Sequence, residues 1–96
     1  MKRLFVFFVT ILSISDLAIA AGVQGKVTHN GAAATKALII FSSNNVERAR
    51  AITGDDGLYY VPNLPDGTYS VKVIYRELTR DYPAIDVRGG KYDCEI

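Results

Sequence analysis

Thr53-Gly54-Asp55-Asp56-Gly57-Leu58-Tyr59-Tyr60-Val61-Pro62-Asn63-Leu64-Pro65-Asp66-Gly67-Thr68-Tyr69-Ser70-Val71-Lys72-Val73 is the stretch whose pattern decides the fold. Gly54-Asp55-Asp56-Gly57 and Asn63-Leu64-Pro65-Asp66-Gly67 are turn sequences, and alternating apolar residues follow each of them. The pattern predicts a meander of strand, tight turn, strand, tight turn, strand. Tyr59, Val61, Leu64, Tyr69, Val71 and Val73 then point to one side and form the core face.

Upstream, Gly22 to Thr28 alternates and reads as a first strand, with Val23, Gly25 and Val27 on one side. Asn30-Gly31 is a hairpin signal because both residues tolerate positive φ. Ala32 to Lys36 reads as linker. Ala37 to Ser43 is a second strand, apolar on both faces from Leu38 to Phe41. With Ala37, Ile39 and Phe41 inward, Leu38 and Ile40 form an outer apolar pair that meets either a covering layer or a partner. Asn44-Asn45 turns the chain into a third strand, Val46 to Thr53, where Arg48 and Arg50 oppose Ala49 and Ala51. The arginines suit a solvated strand face, with an anion-binding role as the sharper alternative.

Downstream, Thr68 to Arg76 is the last meander strand, and Glu77 to Asp81 reads as a charged loop. Tyr82 to Arg88 resumes an extended pattern. Gly89-Gly90 is a second hairpin signal, and Lys91 to Ile96 closes the chain with Tyr92, Cys94 and Ile96 on one side. The count is seven strands, with no helical periodicity after residue 21. The expected fold is all-β, a seven-stranded antiparallel two-sheet sandwich.

Residues 1–20 read as a secretory signal peptide. Lys2 and Arg3 precede an apolar run from Leu4 to Leu12, and Ala18-Ile19-Ala20 provides a small-residue exit, with cleavage after Ala20. The alternative, an uncleaved anchor, has to carry Asp16 inside the only apolar window long enough to span a bilayer. The domain therefore spans 21–96, and its expected compartment is secreted or periplasmic. Loss of Lys2, Arg3 and Asp16 takes 11 basic and 10 acidic side chains to nine of each. That balance offers no steering toward nucleic acid or anionic lipid. A single cysteine cannot close an internal disulfide, so a continuous sheet core has to hold the fold.

Gly25-x-Val27, the Asn30-Gly31 turn, Ala37-x-Ile39-x-Phe41, Thr53-Gly54-Asp55-Asp56-Gly57-x-Tyr59 and Leu64-Pro65-Asp66-Gly67-x-Tyr69-x-Val71-x-Val73 together resemble the carboxypeptidase regulatory-like domain. The resemblance covers residues 22–96 and implies the transthyretin-like (prealbumin-like), Ig-like sandwich. Such modules accompany peptidases, outer-membrane receptors and surface proteins, so it implies binding or structural work without chemistry of its own.

Other chemistry finds little support in the residues. The transthyretin-like hydrolases carry active-site histidines and a Tyr-Arg-Gly-Ser terminus, whereas this chain offers only His29, read as a solvated turn residue, and ends Asp93-Cys94-Glu95-Ile96. Cys94 reads as an inward, apolar thiol. A lysine–acid crosslink, as in some surface-protein sandwiches, would use Lys26 and Asp93, both read as outward. Asp55, Asp56 and Asp66 have turn spacing and are too few for calcium's six to eight oxygens. The expectation is a non-catalytic module with no cofactor or metal. Its partner is an envelope or extracellular protein, ahead of carbohydrate because Trp is absent. Leu38, Ile40, Tyr60, Tyr75, Glu77 and Arg80 are the candidate contacts.

Overall fold

In a computed structural model of the chain, residues 22–96 are described, and the expected signal peptide and its cleavage point lie outside them. The described residues contain no helix. They form eight strands: β1 (Val23–His29), β2 (Ala32–Ala33), β3 (Leu38–Ser43), β4 (Val46–Ile52), β5 (Leu58–Val61), β6 (Gly67–Tyr75), β7 (Leu78–Val87) and β8 (Cys94–Glu95). One sheet has β1 at its centre, with β2, β5 and β8 pairing to it, and the other runs β4-β3-β6-β7. The two sheets pack as a β-sandwich, with their inner faces sharing one core.

The inner face follows the parity of the sequence. Val23, Val27, Ile39, Phe41, Tyr59, Val61, Leu64, Tyr69, Val71 and Val73 are all buried. Phe41 sits at the aromatic centre, with ring centroids 6.0 Å from Tyr69, 6.2 Å from Tyr59 and 6.3 Å from Tyr92. Its contacts with Tyr69 and Tyr92 are edge-on, the geometry favoured by aromatic quadrupoles.

Several expectations change. The central stretch is not a meander of paired neighbours, because β4 and β6 belong to one sheet and β5 to the other. Its two turns are therefore corners that carry the chain across the sandwich. Gly54 N–H donates to Leu58 O at the first corner, and at the second Tyr69 Oη donates to Pro65 O at 2.7 Å. Ala32–Ala33, read as linker, forms a short strand because the Asn30-Gly31 turn (φ 52° and 83°) folds it back onto β1. The expected loop at Glu77 to Asp81 is mostly strand, since Leu78 to Asp81 pairs with Lys72 to Tyr75 across a tight turn at Arg76 and Glu77. Arg76 takes φ 56° there without the glycine or asparagine that usually marks such a turn.

The last correction concerns the end of the fold. Gly89 and Gly90 adopt φ 69° and 70°, and the hairpin they start holds only one bridge, Arg88 to Lys91. The chain then crosses to β1, where Val27 and Thr28 pair with Cys94 and Glu95 in parallel. The sandwich therefore has eight strands rather than seven and is not wholly antiparallel. Gly25 makes this crossing feasible, because a Cβ on it would lie 1.8 Å from Tyr92 O. Three side chains fasten the segment: Tyr59 Oη donates to Tyr92 O at 2.5 Å, Tyr82 Oη donates to Glu95 O, and His29 Nδ1 binds Ile96 O at 2.5 Å.

Candidate binding face

β3 lies between β4 and β6, so its inward residues fill the core and Leu38 and Ile40 face outward. Register then determines their neighbours, because directly paired residues share a face. One row across the sheet is Ile52, Leu38, Ile74 and Thr79, and the next is Arg50, Ile40, Lys72 and Asp81. Ile52 is 66 % exposed, while Leu38, Ile40 and Ile74 are partly exposed. The outcome is an apolar stripe on the outside of the larger sheet, with charge along one flank. The outward apolar pair read from the sequence thus gains Ile52 and Ile74.

One pair of charges on this face is joined. Arg50 grips the Glu47 carboxylate with two hydrogen bonds of 2.7 Å. That bonding holds the Glu47 carboxyl below its ordinary range. A bulge in the β3–β4 ladder sits between Phe41 and Ser42 and leaves Arg48 out of register. Arg48 is consequently displaced toward the end of the sandwich, where it lines a depression with Ser43, Asn63, Leu64, Pro65 and Tyr69. The two arginines, expected side by side, do not form one anion site.

The remaining expected contacts are scattered. Tyr60 is 58 % exposed, but on β5 of the other sheet, where it borders an open groove with Gly22, Gln24, Pro65, Asp66, Gly89 and Gly90. Glu77 is exposed at the β6–β7 turn, and Arg80 is exposed on β7 opposite Val73. Tyr75 is a correction. It is only 5 % exposed, its ring lies 5.5 Å from that of His29, and the Arg76 guanidinium caps it at 4.9 Å. The inward parity of β6 places it in the core and removes it from the surface.

Polar groups elsewhere serve the fold. His29, expected to be solvated, is half-buried and bonded to Ile96 O. Burial first, then the Asp93 carboxylate, pushes the Cys94 thiol up to about 11, so it stays protonated near neutral pH. Burial likewise holds the Tyr59 phenol well above its ordinary range, keeping it a donor to Tyr92 O. Asp56 accepts from Leu58 N at 3.0 Å, and Asp66 accepts from Gly89 N at 3.1 Å. Among the described residues no group of three or more His, Cys, Asp or Glu is placed to hold a metal ion. Asp93 meets Lys26 through the lysine main-chain N–H at 2.9 Å, with both residues exposed.

The sequence reading missed Ile52 and Ile74 because it assigned faces strand by strand. Each has the outward parity of its own strand, and that was the available signal. Their union with Leu38 depends on cross-strand register, which parity does not encode. No protein-family model matches the chain, and comparison with curated proteins finds no match.

Proposed function

We propose that the chain is an exported, non-catalytic binding module of the cell envelope or exterior, with a transthyretin-like sandwich of the carboxypeptidase regulatory-like type. Its outer β4-β3-β6 face holds a protein partner. The carrying observation is the row Ile52, Leu38 and Ile74 with Ile40 beside it, an apolar stripe on a sheet face left partly exposed. Contiguous exposed apolar surface costs a free protein solubility and commonly marks an interaction site. The flank of Arg50, Glu47, Lys72 and Asp81 supplies the mixed polar rim that protein interfaces use. A protein fits this stripe better than a sugar, since its apolar residues are aliphatic and the exposed Tyr60 lies on the other sheet.

The test uses the whole chain recovered from its native compartment after mild crosslinking. Intact mass should correspond to residues 21–96 with a free thiol, and a crosslinked protein should accompany it. Leu38→Glu with Ile74→Lys should abolish that association while the circular-dichroism spectrum stays that of the folded chain. A full-length mass would refute the processing, and association untouched by the double variant would refute the face.

A further inference from the structure

The larger sheet has two edges, and they differ. On β7 the ladder to β6 breaks around Ser70, where Ser70 Oγ donates to Pro83 O, and Arg80, Asp81 and Asp86 are exposed. A proline, a bulge and charges are the devices by which an edge avoids recruiting another strand. On β4 the first half is blunted by the bulge at Arg48 and by the Glu47–Arg50 pair. Its second half, Ala49 to Ile52, pairs regularly with β3.

The direction of the backbone groups there follows from the ladder. Thr53 N–H donates to Ala37 O, so the alternation of an antiparallel pair turns the groups of Ala51 and Ala49 toward β3. The N–H and C=O of Arg50 and Ile52 therefore point away from the sheet. Among the described residues no strand pairs with that side of β4, and no other main-chain group bonds to these atoms. Ala49 and Ala51 are short and only partly buried against the core. Outside, Ile52 begins the apolar row.

We infer that the partner contributes an extended segment with alternating apolar residues, which adds to the sheet along Ala49 to Ile52. One set of its side chains lies beside Ile52 and extends the apolar row beyond it, and the other enters the rim beside Ala49 and Ala51. Main-chain bonds to Arg50 and Ile52 set its register. A second copy of this chain fits less well. Antiparallel self-pairing centred on Arg50 opposes two guanidiniums, pairing one step along sets Arg50 against Ile52, and pairing centred on Ile52 meets the Gly54 corner at once. This inference rests on the outer face being the partner site.

The probe is a synthetic peptide as long as β4 that alternates valine with threonine, compared with the same peptide N-methylated at alternate residues. Added to the isotopically labelled protein, the first should shift the Arg50 and Ile52 amide signals and slow their exchange with solvent, and the second should not. Arg50→Pro removes an N–H that points outward and spares the β3 ladder, so it should bind the peptide about tenfold more weakly than Arg50→Ala, which loses the same side chain but keeps the N–H. Equal binding of both peptides, no binding, shifts confined to β7, or Arg50→Pro matching Arg50→Ala would each overturn the inference. So would a dimer in sedimentation that the peptide dissociates. If Arg50→Pro unfolds, the methylation comparison on the unaltered protein decides. With the native partner, loss on Leu38→Glu but retention on Arg50→Pro would leave the face standing and remove the edge, while retention on both would remove the face.

Discussion

Thr53 is the polar residue whose loss should be felt most. It is 3 % exposed, and its Oγ1 donates to Ala34 O at 2.6 Å and accepts from Ala37 N at 2.8 Å. Ala34 and Ala37 are fully buried and flank the link from β2 to β3, where the chain passes from one sheet to the other. Thr53→Val keeps the shape and deletes the hydroxyl, leaving a carbonyl and an N–H without partners out of reach of water. Each orphaned group costs about 1–3 kcal/mol, so losing both partners should cost about 2–6 kcal/mol. For a domain this small, that is a large share of a stability near the low end of about 5–15 kcal/mol. Thr53→Ser keeps both bonds and gives up one methyl group, about 1 kcal/mol. The assay is urea unfolding followed by tyrosine fluorescence and circular dichroism, comparing midpoints at constant m. Thermal midpoints should fall by about 10 °C or more for valine and by about 5 °C for serine. If valine costs no more than serine, the hydroxyl clamp is not what holds the crossing and the reasoning fails.

Two further predictions probe the other side of the sandwich. Gly25→Ala should expel the terminal segment, because the new Cβ would meet Tyr92 O at 1.8 Å and Tyr59 Oη at 2.9 Å, both part of the fastening. Hydrogen exchange should then show lost protection at Tyr92 and Ile96 while β3 and β6 keep theirs; uniform loss across the sheets would contradict a local role. For Cys94, a thiol pushed from 9.0 to about 11 leaves roughly a hundredfold less thiolate at pH 8 than an unperturbed one, so iodoacetamide should react with the folded chain roughly a hundredfold more slowly than with the urea-unfolded chain. By the same linkage the unfolded chain releases this proton first. The thiol's contribution to stability is intact below about pH 9 and should be lost as pH rises toward about 11, and Cys94→Ala should flatten that part of the decline.

Period-two burial was legible because it is local. Ile39 and Phe41, Tyr59 and Val61, and Tyr69, Val71 and Val73 alternate with polar or outward neighbours, and each set is buried. Turns were legible where positive φ selects its residues, at Asn30-Gly31, Asn44-Asn45 and Gly89-Gly90. Pairing was not. A glycine-rich turn reads the same whether it joins partners in one sheet or carries the chain to the other, which is why the stretch from Thr53 to Val73 looked like a meander. The Arg76 turn carries no such residue, and Thr79 to Asp81 is polar where β7 is an edge. The parallel docking of Cys94 and Glu95 depends on the space left by Gly25, a contact between residues far apart in the chain. Of the site, Leu38 and Ile40 were visible as an excess of apolar residues on one strand. Tyr75 was misplaced because tyrosine suits surfaces and cores alike, and the inward parity of β6 decided between them.

These particulars divide the molecule into a fastened side and an open one, and the division makes the functional proposal separable from stability. Without a disulfide, β7 and β8 are joined through Tyr82 to Glu95 O, while β1 and β5 hold the same segment through His29, Tyr59 and Thr28. Each of those bonds ends on a carbonyl or N–H of the segment itself, so its sequence matters less than its path. On the opposite side, β4 carries a solvent-exposed ion pair, two alanines and an isoleucine left largely in water. Exposed ion pairs contribute about 0–1 kcal/mol, and short or exposed side chains add little burial. Changes to the fastened side should therefore lower stability and leave intrinsic affinity for a strand intact in whatever remains folded. Changes at Ile52 should do the reverse, altering affinity with stability moved by less than about 1 kcal/mol. If affinity and stability instead fell together for substitutions on both sides, β4 would be one more structural edge and the binding reading would lose its physical basis.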